Sequence, residues 1–162
     1  MKRRIAAAVF WLIPLALMGL IFYFSSQTAQ ESTDVSRSLG GALLRLLTAF
    51  LALFGRTPAP TLTAESIDFF LRKCAHFSIY GALGGSLYHA VRFGGKPRRK
   101  QKLLALLISF CYAVSDEFHQ WFVSGRSAEV RDIAIDTLGA ILGILFVALL
   151  WRIVLKRMKN KM

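Results

Sequence analysis

Acidic residues are scarce in this 162-residue chain, with nine Asp and Glu against 21 Lys and Arg and a formal net charge of +12. Cysteine is nearly absent, limited to Cys74 and Cys111. With no CxxC pair there is no disulfide framework or thiolate metal knuckle to argue from, and each Cys reads as a small hydrophobe within an apolar segment. The chain also has no HExxH, no GxSxG and no P-loop, so no protease, esterase or nucleotide-binding signature is present.

Apolar residues dominate, at 55% of the chain, and they fall in long runs. A run of about 18 or more apolar residues reads as a membrane span, because about 20 residues at a rise of about 1.5 Å each cross the hydrocarbon core. Four such runs cover residues 5–24, 69–91, 103–123 and 133–151. The first follows Lys2, Arg3 and Arg4 and resembles a signal peptide in charge. Its apolar stretch is too long for one and no A-x-A site follows, so it is read as an uncleaved first helix that tolerates Pro14. A fifth stretch, residues 39–54, is interrupted by Arg45 and weakened by Gly40 and Gly41. Its uninterrupted part, residues 46–54, would reach only about 14 Å as a helix, so it is expected to be a short interfacial or re-entrant helix, with a fifth span as the alternative. Residues 55–66, with Pro58 and Pro60, are read as a loop. The expected fold class is therefore an all-α, polytopic membrane protein: one domain of four transmembrane helices plus a short interfacial helix between the first two.

Charge orients this arrangement. Residues 1–4, 92–102 and 152–162 hold 14 of the 21 basic residues and no acid, whereas the other side holds seven basic residues and all nine acids. Cytoplasmic flanks carry the excess of Lys and Arg, which places both termini in the cytoplasm. The same placement accounts for the basic charge without nucleic acid as a partner.

With this topology, polar residues from separate segments meet at the outer membrane level. Ser25, Ser26 and Gln27 end the first span; Arg72, Lys73 and His76 open the second; Asp116, Glu117, His119 and Gln120 end the third. Gly125, Arg126 and Ser127 form the next loop, and Arg131, Asp132 and Asp136 open the fourth. Lys73, His76 and Tyr80 share one helical stripe, as do Asp132 and Asp136. Ionisable groups in a bilayer are costly, so they pair, face a cavity and mark function. His76, Asp116, Glu117 and Asp132 are the candidates to orient a ligand or carry protons. Ser26, Gln27, Lys73, Tyr80, Gln120, Arg126, Arg131 and Asp136 are candidate ligand contacts, with Lys73, Arg126 and Arg131 suited to phosphate. Several bland roles compete with these. Asp132 suits a helix cap, and Glu117 and Asp136 suit ion pairs with Arg126 or Arg131. The pairs Gly81/Gly85 and Gly139/Gly143 read as close helix packing. A metal set drawn from His76, Asp116, Glu117, His119, Asp132 and Asp136 has no recognisable spacing, so no metal or other cofactor is assigned from sequence.

At these residues the chain resembles the VanZ-like family of small bacterial membrane proteins. The matching pieces are Phe24-Ser25-Ser26-Gln27, Lys73-x-x-His76-Phe77-x-x-Tyr80-Gly81, Asp116-Glu117-x-x-Gln120, Gly125-Arg126-Ser127, and Asp132-x3-Asp136-Thr137-Leu138-Gly139-x3-Gly143. They run in order over roughly residues 10–148. Some family members carry Asn where this chain has Asp136. The family is named for a protein linked to low-level teicoplanin resistance. The resemblance implies a multi-pass protein of the bacterial cytoplasmic membrane, acting at its outer face near cell-envelope precursors. The first functional expectation is a site that binds, or modifies, an anionic lipid headgroup or lipid-linked wall precursor. The second is a non-enzymatic accessory or binding protein, a homo-oligomer through its glycine faces being one form. The third is a small transporter. The residues leave open whether the chain is an enzyme.

Overall fold

A computed structural model describes residues 2–59, 63–93 and 97–159, with the side chains of 2–8, 64, 98, 99 and 159 excepted. Five helices follow in order: α1 (Lys2–Ser25), α2 (Ala29–Ala52), α3 (Ala64–Phe93), α4 (Arg98–Gln120) and α5 (Val130–Lys159). No strand occurs among the described residues. The predicted loop over 55–66 is shorter than expected, because α3 already starts at Ala64; residues 60–62 lie outside the described residues.

The spine of the molecule is the pair α3 and α5. Its registry advances in parallel: Lys73 meets Asp132, His76 meets Asp136, and His89 meets Trp151. Small residues let the two backbones touch. A Cβ built on Gly143 would overlap the Gly81 carbonyl, and one on Gly139 would overlap the Phe77 carbonyl. A Cβ on Gly84 would sit 2.8 Å from Ala140 Cα. This is the small-residue contact by which helices associate when lipid removes the hydrophobic drive between them.

α1 and α4 complete a four-helix bundle and run opposite to the spine. Phe10, near the start of α1, stacks on Phe93 at the end of α3, with centroids 4.3 Å apart. At the other end Phe22 stacks on His119, near the end of α4. Pro14 lies inside α1 and is fully buried. The core is small, built on Ile21, Tyr80, Leu83, Leu87, Tyr88, Ala105, Ala113, Ile144 and Ala148. The outer surface is apolar instead: Leu12, Leu15, Leu107, Phe118, Leu142, Phe146 and Leu149 are all exposed. Soluble monomers rarely expose contiguous apolar surface on this scale, and a lipid solvent accounts for it.

The described basic flanks share one end of the bundle. Arg92, Lys102 and Arg152 line a groove there with Tyr88, Trp151 and Leu155, and the Arg92 guanidinium lies 4.6 Å from the Trp151 ring centre. The acidic motifs share the opposite end. The division of charge read from the sequence is thus, among the described residues, a division between the two ends of the bundle; Lys2, Arg3, Arg4, Lys96, Arg98, Arg99, Lys159 and Lys161 lie outside the described side chains.

α2 corrects the expectation of a short helix over 39–54. Thr28 caps its N-terminus: its Oγ1 accepts from the Glu31 N–H at 3.3 Å, and a Glu31 carboxylate oxygen accepts from the Thr28 N–H at 2.8 Å. This reciprocal capping box starts the helix ten residues before position 39. Arg45 does not end it, because that side chain is exposed. Two helical segments are long and apolar enough to cross a membrane, Ala29–Ala52 and Val130–Met158, and Val9–Ser25 is a shorter apolar stretch. Length therefore no longer argues against α2 as a span. Its packing is slight, however. It buries only Ser36 and Gly40, it leans chiefly on α3, and Arg37 reaches Glu65 at 3.7 Å.

Candidate functional site

The polar end is assembled from all four bundle helices and the α4–α5 turn. One face of α3 presents Lys73, His76 and Tyr80 in successive turns, and each meets a carboxylate from another helix. Lys73 Nζ donates to both oxygens of Asp132, the Oδ2 contact being 2.6 Å. His76 Nδ1 stands 3.5 Å from Asp136 Oδ1. The Tyr80 hydroxyl, fully buried, donates to Asp116 Oδ2 at 3.2 Å. Three acid-bearing turns, two on α5 and one on α4, are thereby fastened to a single stripe of α3.

A second layer ties the helix ends together. Gln120 Nε2 donates to Asp116 Oδ2 at 3.4 Å, and its own Oε1 accepts from Arg126 Nη1 at 3.3 Å. Arg126 also donates to the Gln27 carbonyl through Nε at 2.9 Å and to the Phe24 carbonyl through Nη2 at 3.1 Å. These carbonyls lie at and just beyond the C-terminus of α1, where helix acceptors are left without partners, so Arg126 caps α1. Burial pulls its pKa below the ordinary arginine value, partly opposed by the nearby Asp116; the guanidinium stays protonated at neutral pH. The turn that carries Arg126 depends on Gly125, whose φ of +75° favours glycine. A Cβ there would also come within 3.0 Å of Ala29 Cβ. Ala29 in turn donates its N–H to the Ser124 carbonyl, docking the start of α2 on this turn.

Glu117 is buried, and its Oε2 accepts from the backbone N–H of Glu129 at 2.8 Å. The expected ion pairs of Glu117 and Asp136 with Arg126 or Arg131 do not form, because Arg126 is committed to carbonyls and Gln120. Arg131 is largely exposed; it pairs with Glu129 at 2.9 Å and lies over the Phe69 ring. It stands apart from the cluster, and so does Ser26, which is exposed and contacts His119 Nε2 at 3.2 Å. Gln27 contributes its carbonyl. The other candidates, Lys73, His76, Tyr80, Asp116, Glu117, Gln120, Arg126, Asp132 and Asp136, come together.

Two groups at this end were not among the candidate site residues. Asp68 is buried one turn before Arg72 and pairs with it at 3.3 Å; the i, i+4 spacing was available as a signal. The Ser25 hydroxyl is buried without a hydrogen-bond partner, and nothing local in the sequence separates it from Ser26. The cavity that such ionisable groups would face is not among the clefts that stand out. A groove of about 390 Å³ lies on the side of the bundle among Met18, Leu107, Cys111 and Tyr112, and another, of about 270 Å³, lies at the basic end.

What the arrangement offers chemically is a set of buried carboxylates with one imidazole at one end of the bundle. No curated protein and no solved structure matches the chain. The model of one protein family, VanZ/LLP1, matches residues 10–152 and so takes in every element of the polar end. On that match over most of its length, the chain belongs to the VanZ/LLP1 family and is a VanZ-like membrane protein.

Proposed function

We propose that α1, α3, α4 and α5 span the bacterial cytoplasmic membrane with both termini inside, and that the polar end lies at the outer face. There it binds the headgroup of an anionic lipid or a lipid-linked cell-envelope precursor. The observation that carries this reading is the convergence of Lys73, His76 and Tyr80 on Asp132, Asp136 and Asp116 at one end of a bundle with apolar sides. Charges kept this close to hydrocarbon cost free energy that packing alone does not require. A headgroup reaches such a site from the leaflet without leaving the bilayer. α2 fits this topology as a helix at the outer interface, since it starts beside the α4–α5 turn and buries little of itself.

Lipid extracted from the purified protein and identified by mass spectrometry tests the reading. A phosphate-bearing lipid should be retained in stoichiometric amount by the wild type and depleted in Lys73→Met. Retention of bulk phospholipid only, unchanged by the substitution, contradicts it. Incubation with the retained lipid then separates an enzyme from a binder by whether the lipid is altered.

The accessory-protein reading has its own support. Lys73, Arg126 and Arg131, the cations expected to hold phosphate, are each engaged by partners within the chain. If no lipid is retained, this reading takes over, and a link to teicoplanin resistance would run through a partner protein. The carrier reading has less support, because Leu83, Leu87 and Ile144 fill the bundle beneath the polar end.

A further inference from the structure

We propose that His76, Asp116 and Asp136 form a binding site for one divalent transition-metal ion of the zinc class. The three residues come from α3, α4 and α5, and one ligand atom from each lies within 4.8 Å of the other two. The site stands on its own geometry, and its test does not depend on the lipid reading.

Asp136 carries the argument. Its side chain is fully buried, and neither carboxylate oxygen has a hydrogen-bond partner. Buried polar groups are normally satisfied, and a bare carboxylate in a low-dielectric interior costs several kcal/mol. Its nearest positive candidate is His76, whose Nδ1 is likewise buried and unbonded. Their separation of 3.5 Å is long for a hydrogen bond. It matches the edge of roughly 3.4 Å between two ligands of a tetrahedral ion with bonds of about 2.1 Å. The remaining edges, up to 4.8 Å, close by side-chain rotations of a little over an ångström.

Charge balance points the same way. As ligands of a metal ion, Asp116 and Asp136 would both be carboxylates. The neighbouring cations are spent elsewhere: Lys73 takes both oxygens of Asp132, and Arg126 holds carbonyls and Gln120. A dication with two carboxylates and a neutral imidazole leaves no net charge. The surroundings also resemble the outer support of a metal ligand, since Asp116 is oriented by the Tyr80 hydroxyl and the Gln120 amide. One imidazole with two carboxylates favours zinc, iron or manganese over magnesium and calcium. Three protein ligands leave a position for water or an anionic oxygen, as catalytic zinc sites do. A carboxylate-lined end can accept a phosphate oxygen through such an ion where its own lysine and arginine are already paired.

The test uses the tag-free, full-length protein in detergent, stripped with chelator and supplied with metal salts alone. Zinc should bind at one equivalent, raise the thermal midpoint with concentration, and be displaced by manganese only in excess. Cobalt(II) should give the visible absorption of a low-coordinate nitrogen and oxygen site. Asp136→Asn, nearly isosteric, should weaken zinc at least 100-fold, and His76→Gln should abolish the cobalt spectrum. Cys111→Ser, at an exposed position on α4 outside the ligand set, should retain the metal. No saturable zinc binding by the wild type, or equal binding by Asp136→Asn, overturns the site. Magnesium binding as tight as zinc overturns the assigned class. Because no lipid is added, a failed lipid experiment leaves this result untouched, and the reverse also holds.

Discussion

Lys73 and Asp132 stand 59 residues apart in the chain, yet both carboxylate oxygens of Asp132 accept from the one ammonium group. The pair locks the third turn of α3 to the first turn of α5. Both side chains are mostly buried, at 20% and 16% exposed. Removing one partner therefore leaves the other charge largely bare. Lys73→Met or Asp132→Asn alone should each destabilise by about 2 kcal/mol, below the 3–5 kcal/mol of a fully buried pair. The double variant should cost clearly less than the two singles together, with a coupling of about 1 kcal/mol or more. Reversible denaturation in mixed micelles measures this cycle, and strict additivity would show that the two charges act independently.

The α3–α5 seam makes a sharper claim about size. Gly143→Ala forces a methyl group into the Gly81 carbonyl, and only a shift of backbone relieves it. Overpacking of this kind costs about 1–3 kcal/mol or more. Gly19→Ala, in the interior of α1, meets nothing within 4 Å and should be neutral or stabilising by up to about 1 kcal/mol through helix propensity. Thermal midpoints of the two variants in one detergent give the comparison. Equal effects would mean that the seam is not close-packed.

Arg126 holds three acceptors with one planar guanidinium, and lysine cannot reproduce that geometry. Arg126→Lys should therefore behave like a loss, with faster amide exchange at the end of α1 and in the α4–α5 turn. Exchange around Gly81 and Gly143, deep in the seam, should be unchanged. Wild-type protection in the lysine variant would show that charge alone suffices there.

Much of this could be read from residue order. The ends of the bundle were legible because basic and acidic residues separate cleanly along the chain. The stripe of Lys73, His76 and Tyr80 was legible because its spacing is helical. The glycine pairs were legible because small residues four apart have few other uses between helices. The partners were less so. Nothing local tells Asp132 to choose Lys73, or tells Arg126 to abandon the acids for the carbonyls of Phe24 and Gln27. Those choices depend on where α1 ends in space. The start of α2 was misjudged for a different reason. The Thr28–Glu31 capping box stands in the sequence, but hydropathy weighted the apolar residues after position 39 and discounted the polar first turns. Three metal-ligand candidates on three helices leave no spacing to recognise.

The central claim is that the polar end faces outward and the basic end inward. Single cysteines at Ser127 and Lys100, both exposed, test it in a Cys74→Ser, Cys111→Ser background. An impermeant thiol reagent is applied to intact cells and again after permeabilisation. The account predicts that position 127 labels from outside, and that position 100 labels only once the membrane is opened. Labelling of position 100 in intact cells, with position 127 protected, would contradict it.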